Sequence, residues 1–97
     1  MRQHYTLQII YQLPTALARL LLLLIEKPIV TAVEIEHEHQ IATQASVAIH
    51  RLRRRIAPYK IEVKSQKSLG YFIDHETKIA VIDQMKRIDV VMPPRAA

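Results

Sequence analysis

Residues 3–11, QHYTLQIIY, alternate. Tyr5, Leu7, Ile9 and Tyr11 fall on one side, while His4, Thr6 and Gln8 fall on the other. A period of two predicts a half-buried strand. From Pro14 to Lys27 the pattern changes. The run is rich in Leu and Ala, both strong helix formers, and Leu17, Leu20, Leu21 and Leu24 make a wide apolar stripe. Pro14 suits a first helical position, and Pro28 stops the helix soon after Lys27.

Thr31 and Glu34 then make a T-x-x-E capping box. It opens a short second helix over about 32–39, with Val33 and Ile35 as its apolar contribution. A turn is expected near Gln40–Ala42, with Thr43 capping a third helix that runs to about Ala57. Ala45, Ala48, Ile49, Leu52 and Ile56 form one apolar face there, and Pro58 ends it. Next, KIEVKSQKSLGYFI reads as two short strands around a loop. Gly70, the single glycine of the chain, stands just before Tyr71-Phe72-Ile73. A lone glycine beside a strand points to a backbone geometry that other residues resist. Asp74 suits the cap of a last helix over about 75–88, with Ile79, Ile82, Met85 and Ile88 apolar and Val81 beside them. That face needs a cover, either the first helix and the strand at 3–11 or a copy in a second chain.

The run LLLLLI at 20–25 is bracketed by Arg19 and Glu26. A membrane-spanning helix needs about 20 apolar residues, so the run reads as a core helix. It also lies too far in for a signal peptide.

Charge adds a direction. The net formal charge of +5 is uneven. The first half is slightly acidic. Residues 43–67 carry Arg51, Arg53, Arg54, Arg55, Lys60, Lys64 and Lys67 against Glu62 alone. Such asymmetry favours an acidic partner, nucleic acid before membrane. With no cysteine in the chain, disulfides, thiolate metal sites and a cysteine nucleophile are excluded, and a cytoplasmic setting fits.

Two helices joined by a tight turn, the second strongly basic and followed by a basic hairpin, are the elements of a winged helix-turn-helix. The segment from Leu13 to Ile73 resembles the DNA-binding domain of OmpR/PhoB-type response regulators. LPTALARLLLLLIEKP resembles that family's first helix and its stop. TAVE sits where the family often has a capping Ser and Glu. VAIHRLRRRI is similar to the family's V-H-I-S-R-L-R-R-K-L, and KSLGYFI resembles its wing, R-G-V-G-Y-R-F. There are departures. Ser68 replaces the first wing glycine, and Leu13 stands where the family usually has a hydroxyl cap. A single strand replaces the small N-terminal sheet. The 97 residues leave no room for a receiver domain, so phosphorylation through an aspartate pocket is not implied. The resemblance implies an α+β fold: a winged helix-turn-helix with an N-terminal strand, a three-helix core, a β-hairpin wing and an additional C-terminal helix. One domain is expected over 1–90, with a flexible tail at 91–97.

The resemblance also implies a sequence-specific double-stranded DNA-binding protein, a small transcriptional regulator of bacterial or phage type. The helix at 43–57 would enter the major groove. By position in the motif, Gln44, Val47, His50, Arg51 and Arg54 are the base-edge candidates. Arginine can grip guanine bidentately, Gln can grip adenine, and Val can touch a thymine methyl. Arg53, Arg55, Lys60, Lys64 and Ser65 are expected at backbone phosphates, which position without reading sequence. The wing offers Gln66, Lys67 and Ser68. Lys67 falls where the family carries an arginine that enters a minor groove, and a lysine there lacks the flat fork. A homodimer is expected, because two copies match a site with repeated half-sites.

Other chemistries find less support. His37 and His39, two apart, point about 200° from each other on a helix, so a metal site is not expected; no cofactor is expected either. Motifs for a nucleophile elbow or a phosphate-cradling loop are missing, so an enzyme is not expected. RNA binding lacks a stacking platform among four Tyr and one Phe. The alternatives are a winged-helix protein-interaction module, or an architectural DNA-binding factor of a mobile element.

Overall fold

The stretch expected as an N-terminal strand is a helix. The computed structural model describes residues 2–38 and 44–91, with side chains over 5–37 and 44–88. In it Arg2–Tyr11 is α1. Periods of two and four coincide at Leu7 and Tyr11, which are buried under either reading. Tyr5 and Ile9, which separate them, are both 58% exposed, and Thr6, polar-side in a strand, is buried. Leu7 and Tyr11, with half-buried Ile10, instead make an i, i+3, i+4 stripe against α2 (Thr15–Glu26).

The turn between these helices is closed by the chain itself. Gln12 takes φ 55°, and the Leu13 N–H donates to the Gln8 carbonyl at 3.2 Å. That bond and the left-handed residue are a Schellman ending. Gln8 Nε2 reaches forward to the Leu13 carbonyl and to Thr15 Oγ1, each at 3.2 Å. The two helix axes consequently turn through 106°.

Helix α2 is the centre of the core. Leu17, Ala18 and Leu20 through Leu24 are all buried, because α1, α3 and the hairpin pack around it. It ends where Lys27 donates its N–H to the Leu23 carbonyl, one residue before Pro28. Pro14 caps α2 rather than entering it, and its carbonyl accepts from Ala18 N–H at 2.9 Å.

The capping box forms as its spacing predicts. Thr31 N–H donates to Glu34 Oε1 at 3.3 Å, and Glu34 N–H donates to Thr31 Oγ1 at 3.1 Å. The short helix it opens is wound as a π-helix over Glu34–Glu38. Residues two apart on an α-helix point in nearly opposite directions, so at most one of Val33 and Ile35 faces the core. Ile35 does; Val33 is 63% exposed, contrary to expectation. The turn at Gln40–Ala42 and the Thr43 cap lie outside the described residues, as does the tail beyond Val91.

Helix α3 (Ala45–Ile56) buries Ala45, Ala48, Ile49, Leu52 and Ile56, the whole predicted face. A single turn, Ala57–Tyr59, follows, and Lys60 reverses the chain at φ 61°. Strands β1 (Lys64–Gln66) and β2 (Gly70–Phe72) pair antiparallel, with Ser65 opposite Tyr71. Val30 and Tyr71 exchange both backbone hydrogen bonds at 2.8 Å, which sews β2 to the segment after α2.

The last helix, α4 (His75–Val91), starts where Asp74 accepts from Lys78 N–H. It packs on α1 through only part of the expected face. Val81 is buried and Met85 partly so, whereas Ile79 and Ile82 remain exposed. Val81 and Met85, four apart, are the residues through which α4 meets the core. The architecture is α+β. Among the described residues no single helix is long and apolar enough to cross a membrane.

Candidate nucleic-acid interface

At about 100° per residue, Val47, His50, Arg51 and Arg54 fall within an arc of roughly 100°, opposite the buried stripe of α3. All four are exposed. Burial of the other side sets this orientation, so four candidate base-edge residues share one outward surface. Gln44 joins them at the start of the helix as its exposed N-cap residue. Its carbonyl accepts from the N–H groups of Val47 and Ala48, each at 3.0 Å.

The N-terminus of α3 is also held from outside. Glu36 Oε2 accepts the Ala45 N–H at 2.8 Å. A carboxylate here satisfies an orphan donor and meets the positive end of the helix dipole. Nothing in the sequence signalled this partnership across nine positions.

Arg53 and Arg55 flank the outward arc and serve the fold. Arg53 sends its Nε and Nη2 donors to the Val63 carbonyl at 2.9 and 2.7 Å. Arg55 Nη1 reaches the Gln12 carbonyl at 3.4 Å. These two were expected at phosphates. Each has further N–H donors beyond those engaged.

The hairpin places Ser65, Gln66, Lys67 and Ser68 in solvent. The Leu69 N–H donates to the Gln66 carbonyl at 3.0 Å, closing a turn with Lys67 and Ser68 at its centre. Ser68 takes φ 70°, as the third residue of a type II turn must. Lys60 is also exposed. Lys64 differs from its expected role, since its ammonium pairs with Asp74 Oδ1 at 2.9 Å. The hydrogen bond it donates to that carboxylate, then the carboxylate's charge, hold the Lys64 ammonium above its usual range.

A concavity lies between α1, Tyr59–Ile61 and α4. It encloses about 590 Å³, and Tyr11 meets Tyr59 edge-on there with ring centroids 4.8 Å apart. Burial, then the neighbouring Tyr59, raises the Tyr11 phenol above its ordinary value. Its mixed rim of Lys60, Glu76, Asp83 and Arg87 converges on no single charge. Among the described residues, no group of three or more metal-ligating side chains is placed to hold an ion. No family model, curated protein or solved structure matches this chain.

Proposed function

We propose that this chain is a sequence-specific double-stranded DNA-binding protein of winged helix-turn-helix build, acting in the cytoplasm as a small, non-enzymatic transcriptional regulator. The observation that carries the reading is the outward face of α3. An arc of Val47, His50, Arg51 and Arg54, polar and basic but for Val47, stands opposite a fully buried stripe, and its helix is held by Glu36 at one end and through Arg55 near the other. A helix of this kind fits a major groove and offers forked donors to guanine edges. The surrounding order supports it: a central helix, one bridging residue at Val30, a capped short helix, α3, then the hairpin. The exposed Lys67 at the hairpin turn is suited to a phosphate or an A·T-rich minor groove. Two copies would cover repeated half-sites, and the exposed Ile79 and Ile82 of α4 favour such pairing.

Selection of bound sequences from random duplex DNA, run at two salt concentrations, tests the reading. A defined motif whose affinity falls with salt is expected. Within that motif, Arg51→Ala and Arg54→Ala should each lose about 1–3 kcal/mol, with little loss on random DNA. Enrichment of no sequence, with no salt-dependent binding, would instead favour a protein-docking module.

A further inference from the structure

The root of the hairpin is tied down on both strands. Tyr71 is sewn to Val30 on one side, and Lys64 pairs with Asp74 on the other. Neither tie reaches α3. Arg53 supplies the connection: two of its N–H groups converge on the carbonyl of Val63, the residue immediately before β1. Ile61 and Val63 turn inward to the core, but on the outer side an open cleft of about 440 Å³ runs between α3 and the chain from Lys60 to Val63, with Arg53, Ala57 and Ile61 among its lining. A planar guanidinium spans that gap with two donors held in fixed relation, which an ammonium cannot do. Among the described residues, no other side-chain hydrogen bond joins α3 to the hairpin or its lead-in.

We propose that Arg53 is a positioning residue that sets the angle of the hairpin to α3, so that Lys67 and the outward face of α3 engage one duplex together. This rests on the DNA-binding reading above, and it removes Arg53 from the phosphate contacts. Arg51 and Arg54 lie on the outward arc and Arg55 flanks it at the Gln12 carbonyl, so the R-x-R-R-R cluster divides into two duties: Arg51 and Arg54 face the ligand, while Arg53 and Arg55 hold the frame.

The intact chain and its R53A, R53K, K67A and R53A/K67A variants separate the possibilities. Amide hydrogen exchange needs no DNA. In R53A the amides of residues 64–72 should exchange roughly tenfold faster, as loss of a charge-assisted hydrogen bond predicts, while those of α2 stay unchanged. R53K, which keeps the charge but not the fork, should fall between. On the selected duplex, K67A should lower the salt slope by about one. R53A should do the same by letting Lys67 drift, and the double variant should also lose only about one, because the two residues act as a unit. A double variant that loses about two units, or full binding by R53K with R53A impaired, would make Arg53 a direct phosphate contact and overturn the proposal. Unchanged hairpin exchange in R53A would overturn it as well. If the parent chain binds no duplex at all, the functional reading fails, and the exchange measurement alone decides the positioning role.

Discussion

Gly70 and Ser68 stand two residues apart in the hairpin, and the backbone asks a positive φ of both. Gly70 has φ 141°, and a Cβ built there would sit 2.3 Å from the Val30 carbonyl oxygen. Val30 cannot retreat, because that same oxygen accepts the Tyr71 N–H. Gly70→Ala should therefore cost about 2–4 kcal/mol, and Gly70→Val should cost more. Ser68 has the reverse problem: it takes φ 70° with a Cβ and without burial. A left-handed L-residue costs roughly 1–2 kcal/mol, partly offset by the greater freedom of glycine in the unfolded chain. Ser68→Gly should raise stability by up to about 1 kcal/mol. Urea denaturation reads both, and unshifted midpoints would refute the backbone account. The special status of Gly70 was legible in the sequence as a lone glycine beside a strand. The clash with Val30 was not, since that contact spans forty positions.

At the scale of elements, the capping box gives a pH-dependent prediction. The Lys27 ammonium, then the Thr31 backbone N–H, hold the Glu34 carboxyl below its ordinary value. A carboxyl depressed on folding stabilises the fold above its unfolded pKa, and that contribution is lost as pH falls through the folded value. Stability of the parent chain should therefore drop more steeply below about pH 4 than that of Glu34→Gln, with the two profiles compared by thermal melts. Parallel profiles would remove the ion pair from the account. This box was readable because its partners are three residues apart. The stripe of α3 was readable for a similar reason: five apolar positions at helical spacing leave one solution. Residues 3–11 were misread because Leu7 and Tyr11 satisfy both periods, and only tertiary packing exposes Tyr5 and Ile9. The outward arc of the candidate site followed from the stripe. The engagements of Arg53 with Val63 and of Lys64 with Asp74 depend on where the hairpin folds back, which local pattern does not encode.

The whole molecule is organised around α2, with α4 added on the α1 side. Lys27 joins the two layers: its side chain pairs with Glu34, while its carbonyl accepts the Lys78 ammonium at 2.8 Å. Helix α4 thus has an intramolecular seat through Val81, yet Ile79 and Ile82 remain outside it. If those residues join two copies, Ile79→Lys with Ile82→Lys should shift sedimentation from dimer to monomer at micromolar concentration and leave the fold intact. A parent chain that already sediments as a monomer would dismiss the dimer. The central place of α2 also has a consequence in time. Its partner α1 is adjacent in sequence, so their pairing closes a short loop, whereas α4 must return across most of the chain to reach α1. Contacts between sequence neighbours form early in folding because they require little loop closure. Leu21→Ala should accordingly slow refolding, while Val81→Ala should chiefly speed unfolding, so the two truncations would bend opposite arms of the chevron.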